Sequence, residues 1–409
     1  MSETTVGSIK AKLVLDSKSF ADGMSKARED MKQSSKASQN LSRDMGRIQT
    51  ASLAVSGAIL AVGGASVAIA ADFEQSMKRV QAIGGFTTEQ YDALKAAAEE
   101  AGKTTVWSSS QSAEALQYMA MSGMEAQEMI AALPDVLNLA SAGALDLGRA
   151  SDIVTDVMSQ FQIKATEVGS AVDILAKTAT SSNSTVESLG EALKYVGPVA
   201  NALGYDLADV SAALGVLHNN GIKGSNAGTS LRQTMLSLVS PVGAAEKAME
   251  ALGINVKDAS GEMLPLPELI GEISGKMDGL TDAQKTQYAS MLVGTEASAG
   301  FLSLLKESES GLRDYTKELE NSAGKAAEVA AIQNDTLIGS FKEFQSALEG
   351  VGIAIGDELL DDFKNIVRFG TDIVRMLGEL NPGVAVTGLK MAGTAAAIGL
   401  VASTAVKFI

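Results

Sequence analysis

Cysteine is absent from this 409-residue chain, and histidine occurs only once, at His218. The lack of cysteine excludes disulfides, thiolate metal sites and cysteine nucleophiles. A single histidine excludes the two-histidine helix motif of zinc peptidases, so any zinc site would need mostly carboxylate ligands. We therefore predict neither a metal nor another cofactor.

Basic and aromatic side chains are also scarce. The 33 Lys and Arg residues are outnumbered by 49 Asp and Glu residues, which gives a net charge of −16, and aromatics make up 4% of the chain. Such an acidic chain does not hold duplex DNA through neutralised phosphates, so we predict no specific nucleic-acid binding. The many Ala, Gly and Ser residues favour helices that pack closely through small side chains.

The first residues are polar and contain no apolar core of a secretory signal, so a cleaved signal is not expected and the chain starts in a cytoplasm. Weak alternation of apolar residues between Ile9 and Leu15 predicts a short strand or extended arm over residues 1–18.

Residues 19–84 carry apolar side chains spaced alternately four and three apart, the 3.5-residue repeat of a coiled-coil seam. We interpret this region as one long helix of about 100 Å that needs partner helices. The large apolar members of this predicted self-association seam are Phe20, Met24, Met31, Leu41, Met45, Ile48, Val55, Ile59, Val62, Ile69, Phe73, Val80 and Ile83.

An uncharged apolar segment, residues 50–71, lies within this predicted helix. It is long enough to cross a bilayer, but its Ala, Gly and Ser content makes insertion marginal. Two interpretations remain open: the buried seam of a helix bundle, and a membrane segment. They are compatible, because partner helices can shield the segment from water in one state before it enters lipid in another. Small residues four apart would allow close helix packing in either case: Gly57 with Ala61, and Gly64 with Ala68.

After Gly84 and Gly85, the sequence predicts a compact helical domain over residues 85–323. Its helices have recognisable starts and stops. The predicted capping pairs are Thr87 with Gln90, Ser108 with Gln111, Ser184 with Glu187, and Thr281 with Gln284; Pro134 is placed in a first helical turn, and Gly102 and Gly123 at helix ends. Two similar segments, each a Ser-rich cap, an EALxY helix and a second helix with AAL, suggest a duplicated helix pair.

The last part of the chain divides at Asn381-Pro382-Gly383. Residues 324–381 are predicted to form amphipathic helices, the first of them from Gly324 to Leu348, and residues 382–409 an apolar helical segment. Because this apolar run continues to the last residue, we expect the chain to be the N-terminal part of a longer protein, or a shortened form of one.

No constellation of residues predicts an active site. The carboxylate pairs Glu99-Glu100 and Asp361-Asp362 are adjacent on helices and do not face each other, so we interpret them as solvated surface. His218 ends a predicted helix and is expected to cap carbonyls or interact with the helix dipole. Trp107 is expected to be a core anchor.

An ordered set of segments between Ile9 and Leu305 resembles the N-terminal core region of the phage tail tape measure proteins. The segments include IKAKLVLDSKSFADGMSKA, ADFEQSMKRVQAIGG, LPDVLNLASAGALDLGRASDIVTDVMSQF and ALGVLHNNGIKGSNAGTSLRQTMLSLVSP. The most family-specific piece runs from Gly221 to Pro241, and its motif residues here are Gly221, Gly224, Ala227, Gly228 and Thr229.

The resemblance implies a mechanical role without catalysis. It implies a homo-oligomer, a trimer or alternatively a hexamer, extended along the lumen of a phage tail, whose helix length sets the length of the tail. The implied partners are tail tube subunits, tail tip or baseplate hub proteins and tail assembly chaperones. On infection the protein would leave ahead of the DNA and help it across the host inner membrane. It would thus be found in the host cytoplasm, the virion tail and the host membrane.

Two other functions are compatible with the sequence. One is a membrane-inserting pore-former that acts without a tail. The other is a peptidoglycan-cleaving enzyme, which the lack of a suitably spaced carboxylate pair disfavours.

Overall fold

The computed structural model describes residues 66–378, and its regular structure is helical. Over these residues there is no β-strand, only an isolated antiparallel bridge between Lys257 and Met263. The prediction of an all-α fold is therefore confirmed for the described part of the chain. The predicted N-terminal arm, the seam positions before residue 66 and the apolar segment 382–409 lie outside the described residues.

The helices follow one another with short connections. In chain order they are α1 (66–84), α2 (Thr88–Thr104), α3 (Ser109–Met121), α4 (Ala126–Gly143), α5 (Leu147–Phe161), α6 (Val168–Ser181, preceded by a 3-10 turn at Ala165–Glu167), α7 (Val186–Ala202), α8 (Leu207–Asn219), α9 (Gly224–Val239), α10 (Ala244–Leu252), α11 (Leu266–Lys276), α12 (Asp282–Val293), α13 (Ser298–Lys306), α14 (Glu309–Glu320), α15 (Lys325–Asn334) and α16 (Leu337–Gly378).

The chain divides into two compact units. The larger unit is Asp72–Val351, which extends beyond the predicted domain 85–323 at both ends. The described part of the smaller unit comprises residues 66–71 and 352–378. Helix α1 ends at residue 84, and Gly85 follows it with φ +64°.

Several helices of the larger unit end in the same left-handed turn. Gly123, Gly204 and Gly221 each have φ close to +85°, a conformation that glycine adopts without steric cost. In each turn the N–H of the following residue donates to a carbonyl five residues back: Met124 to Met119, Tyr205 to Ala200, and Ile222 to Leu217. The first two turns connect the helices of the two predicted helix pairs, α3–α4 and α7–α8, so the two pairs have the same type of connection.

The predicted helix starts are confirmed at three of four positions. Thr87, Ser108 and Thr281 each cap a helix and form a capping box with the glutamine three residues on. The fourth prediction, Ser184 with Glu187, is wrong because Thr185 is the cap and pairs with Ser188. Ser184 instead bonds to His218, so the serine-rich sequence alone did not distinguish the capping residue.

Three other local predictions differ from the structure. Pro134 lies in the middle of α4, not in its first turn, because the helix already begins at Ala126. Gly102 does not end α2, which continues to Thr104; the glycine is buried, and a Cβ at this position would meet Ser109. The predicted helix from Gly324 to Leu348 is broken at residues 335–336, between α15 and α16.

Close approach of helix backbones characterises the core of the larger unit. Helix α9 packs along α7 at Gly228, where an added Cβ would collide with the backbone carbonyl of Ala192. Alanine is buried throughout this core, and its largest fully buried side chains include Phe73, Phe301 and Met77. The expectation of close packing through small side chains is met here.

In the smaller unit, α1 packs against α16 through small residues. A Cβ on Gly352 would meet the side chain of Ile69, and a Cβ on Gly356 would meet the Ser66 carbonyl and the side chain of Ala70. As the residue numbers of the contacts increase along α16, those of their partners decrease along α1, so the two helices are antiparallel in this unit.

One carboxylate of the larger unit lies where its charged form is disfavoured. Asp209 on α8 is partly buried, and burial, with Asp206 and Glu320 nearby, raises its pKa to about 6. The folded state thus holds this proton more tightly than the unfolded state, so unfolding free energy falls as pH rises through about 4 to 6.

We predict that Asp209→Asn raises the unfolding free energy at pH 7.5 by on the order of 1 kcal/mol, after allowing for partial solvent exposure. The gain should shrink towards pH 4, because the wild-type carboxyl is then protonated. Urea unfolding of both chains at several pH values measures the difference. His218, whose pKa is lowered to about 4 by burial, is present in both chains, so its contribution cancels in the difference between their unfolding free energies. An equal gain at pH 4 and pH 7.5 would contradict the prediction.

Candidate functional site

A run of exposed apolar side chains lies along one face of α16 in the larger unit. We call this face the apolar stripe and define it by Leu337, Phe341, Phe344, Leu348 and Val351. Their exposed fractions run from 88% at Leu337 to 53% at Leu348, and the neighbouring Ile338 is 70% exposed. Soluble proteins rarely leave an apolar run of this size uncovered, which marks the stripe as an interaction surface.

The stripe residues are spaced four, three, four and three apart, the heptad spacing of a coiled-coil seam. The positions that flank such a seam are occupied by Ile338, Ser340, Gln345 and Ala347, none of them charged. An uncharged flank neither selects nor repels a partner through charge.

The opposite face of α16 is polar and holds the helix to its own unit. The hydroxyl of Ser346, which is buried, lies 2.5 Å from the carbonyl oxygen of Gly102 and 2.9 Å from that of Trp107. A carboxylate oxygen of Glu349 accepts a hydrogen bond of 2.9 Å from the backbone N–H of Ser110. Polar contacts at the α2–α3 corner thus fix this part of α16.

Two further contacts complete this anchor. The ammonium group of Lys342 lies 6.0 Å from the ring centre of Trp107. The indole N–H of Trp107 lies within hydrogen-bond distance of the Leu137 carbonyl (3.1 Å) and the Ser141 hydroxyl (3.0 Å), both on α4. Trp107 therefore links α4 to α16, but it is half-buried and not the core anchor that the sequence predicted.

Over residues 337–351, the polarity of α16 is the reverse of that of an ordinary surface helix. At 3.6 residues per turn, the anchoring positions 342, 346 and 349 centre about 150° around the helix from the stripe. A helix that served only its own unit would turn the apolar face inward. The sequence predicted amphipathic helices in this region, but periodicity alone does not say which face of a helix meets the rest of the protein.

The described members of the predicted seam do not share one environment. Phe73 and Val80 are fully buried in the larger unit together with Met77, whereas Ile83 is 42% exposed. In the smaller unit, Ile69 is half-buried and Ala68 is exposed. All the other seam and small-residue positions, from Phe20 to Gly64, lie outside the described residues, so the seam stays a prediction.

A membrane-spanning role finds limited support in the described residues. Among residues 66–378, no single helix combines the length and apolarity needed to cross a bilayer. Helices α4 and α5, which meet at an angle of 117°, are together long and apolar enough to cross a bilayer, by length and composition alone. Many of their apolar side chains are buried in the core of the larger unit.

The family-motif residues occupy the turn from α8 to α9 and the start of α9. Gly221 and Gly224 have φ of +85° and +56°, Ala227 and Gly228 are buried, and Thr229 is exposed. The motif thus serves a left-handed turn and the close approach of α9 to α7.

His218 lies beside this motif but does not cap the helix as predicted. It is fully buried, its Nδ1 is 2.5 Å from the Ser184 hydroxyl, and burial with Lys223 nearby lowers its pKa to about 4. A neutral, buried ring has little interaction with the helix dipole. In residues 66–378, no group of three or more His, Asp or Glu side chains is placed to hold a metal ion.

Comparison with known proteins identifies the class of protein to which this helical unit belongs. Residues 95–294, from α2 to the turn after α12, match the family model of the phage-related minor tail protein. No solved structure matches this one.

Curated relatives extend the match to nearly the whole chain. The tape measure protein of Pneumococcus phage Dp-1 is 31% identical over 96% of this chain, and the probable tape measure protein of Escherichia phage P2 is 29% identical over 91%. The probable tape measure protein of Clostridium phage phiCD119 is 22% identical over 91%. The chain spans 35%, 48% and 41% of the length of these relatives, respectively.

The chain belongs to the phage tail tape measure family, as its ordered segments indicated. This membership implies a structural role in a phage tail and a location in the virion tail.

We predict that Gly228→Ala lowers the unfolding free energy by about 1–3 kcal/mol, because the added methyl group forces α9 away from the Ala192 carbonyl. Chemical denaturation followed by circular dichroism measures the change. Gly350→Ala is the matched control, since a Cβ on that helical glycine meets nothing within 4 Å. The control should be neutral or slightly stabilising. Equal losses in the two variants would contradict this account.

We also predict that Ser346→Ala loosens α16 locally. Removing the hydroxyl leaves the carbonyls of Gly102 and Trp107 without this donor, at a cost of about 1 kcal/mol. Amide hydrogen exchange over residues 337–351 should become faster, while exchange in α7 and α9 stays unchanged. Ser340→Ala, at an exposed position, is the control. The anchor would be disproved if both variants exchanged at the wild-type rate.

Proposed function

We propose that this chain works as the core of a tape measure protein: a homo-oligomer in the tail lumen that templates the tail tube and determines its length. The observation that carries the proposal is its 31% identity, over 96% of the chain, to a protein named for that function. A trimer is favoured and a hexamer is the alternative. Tail tube subunits, tail tip or baseplate hub proteins and assembly chaperones are its partners.

The charge of the chain supports a position in the DNA channel. With 49 acidic and 33 basic residues, the protein repels phosphates and does not retain the genome that later moves through the same tube. Neutralising several phosphates, as a DNA-binding protein does, would slow that passage.

Two apolar segments support a second stage at the host membrane. Residues 50–71 and 382–409 are rich in small apolar side chains that helices can bury against one another during storage. We propose that the protein is assembled in the host cytoplasm, leaves the tail before the DNA and delivers these segments to the host inner membrane, where they help the DNA to cross.

The experiment that tests the length-determining role removes whole heptads from the N-terminal region of the chain. Deleting residues 21–48, four heptads, keeps the repeat in register and should shorten the tail by about 40 Å, at 1.5 Å per helical residue. Duplicating the same 28 residues should lengthen the tail by the same amount. Electron microscopy of many particles measures tail length. Unchanged tails in both variants would refute the proposal that this region acts as a ruler.

A pore-former that acts without a tail is the alternative function. The bent apolar pair α4 and α5 is the described feature that favours it. Co-purification of the chain with tail tube subunits from infected cells distinguishes the two functions, because only the tape measure requires those subunits as partners.

A further inference from the structure

We infer that the apolar stripe of α16 is a self-association surface and that its partner is the same stripe on a second copy of this chain. The inference rests on the proposed function for the presence of several copies. It deepens that function by assigning one contact between copies to a surface outside the predicted seam.

The first argument is the regularity of the stripe. Five large apolar residues, from Leu337 to Val351, follow the four-three spacing throughout, and each is more than half exposed. This spacing fits a helix with the same repeat, because knobs from one helix then enter holes on the other. A globular partner would not require a heptad period.

The second argument is charge. Two copies of a chain with a net charge of −16 repel each other, so contact is favoured where both surfaces lack acidic groups. The stripe and its flanking positions are uncharged; Lys342 and Glu349 lie on the anchored face, and the exposed Glu343 lies outside both the stripe and its flanks. The surface thus suits a copy of itself rather than a basic or acidic partner.

The third argument is area. At roughly 100 Å² of exposed apolar surface for each of the five residues and Ile338, the stripe offers about 600 Å² per copy. Two copies would bury about 1,200 Å² in total, the lower end of the range for specific interfaces.

A crosslinking experiment on the full 409-residue chain tests this directly, because the wild-type sequence has no cysteine. Phe344 is the midpoint of the stripe, so two copies bring this position together in both parallel and antiparallel pairing. Oxidised Phe344→Cys should give at least about tenfold more disulfide-linked dimer than oxidised Val242→Cys. Val242 is the control because it is also an exposed apolar residue, 75% exposed, but lies outside the stripe.

Sedimentation velocity supplies the second measurement. The double variant Phe344→Glu with Leu348→Glu should shift the wild-type multimer towards monomer, with the dissociation constant raised about tenfold or more. Val242→Glu should sediment as the wild type does. Helix content by circular dichroism should be equal in all chains, because both stripe positions face away from the core.

Three results would overturn the inference. In the first, the double variant remains a wild-type multimer and Phe344→Cys forms no more dimer than the control; copies then meet elsewhere, and the tape measure role stands. In the second, the wild-type chain is monomeric at all concentrations. In the third, Phe344→Cys is protected from maleimide in a monomer, so the chain covers its own stripe. Conversely, stripe-to-stripe pairing in a protein absent from tails would support the inference and refute the proposed function.

Discussion

The division of residues 337–351 of α16 into a polar anchored face and an apolar free face is the constraint on which the account of the interaction surface depends. Ser346, Glu349 and Lys342 attach the helix to the α2–α3 corner without using its apolar side chains. Hydrogen bonds of this kind each contribute only about 1 kcal/mol, but they orient the helix. Orientation is what leaves Phe341, Phe344 and Leu348 available to another molecule.

The larger unit supplies the rigid support for that orientation. Its helices end in repeated left-handed glycine turns, and its core brings backbones into contact at positions such as Gly228. Close packing of this kind tolerates little movement, because an added methyl group already collides with a carbonyl. A structural protein of the phage tail, with the same surface presented by every copy, can use such a fixed helix face as a repeated contact.

Much of this architecture could be predicted from the sequence, and the errors have physical reasons. The all-α class followed from composition and periodicity, and the caps at Thr87, Ser108 and Thr281 followed from residue pairs three apart. The cap at Thr185 was missed because a run of serines offers several equivalent candidates. Pro134 was misplaced because tertiary packing holds a proline inside α4.

The functional surface was the part that local patterns could least predict. Heptad spacing predicted a self-association seam that includes Phe73 and Val80 of α1, yet both residues are buried within the protomer. For α16 the sequence predicted only an amphipathic helix, and there the apolar face is exposed to solvent. Only the contacts of the opposite face distinguish the two cases, and those contacts join residues more than 200 positions apart, as Ser346 with Gly102 shows. The family motif was recognisable from its glycines, and its structural role required the α7–α9 contact.

A map of the assembled tail at a resolution that separates helices is the most direct measurement of the central claim. The account predicts several copies of this chain around the tube axis, with residues 337–351 of one copy against the same residues of another. A single copy in the lumen, or several copies whose α16 stripes face the tube wall, would contradict it.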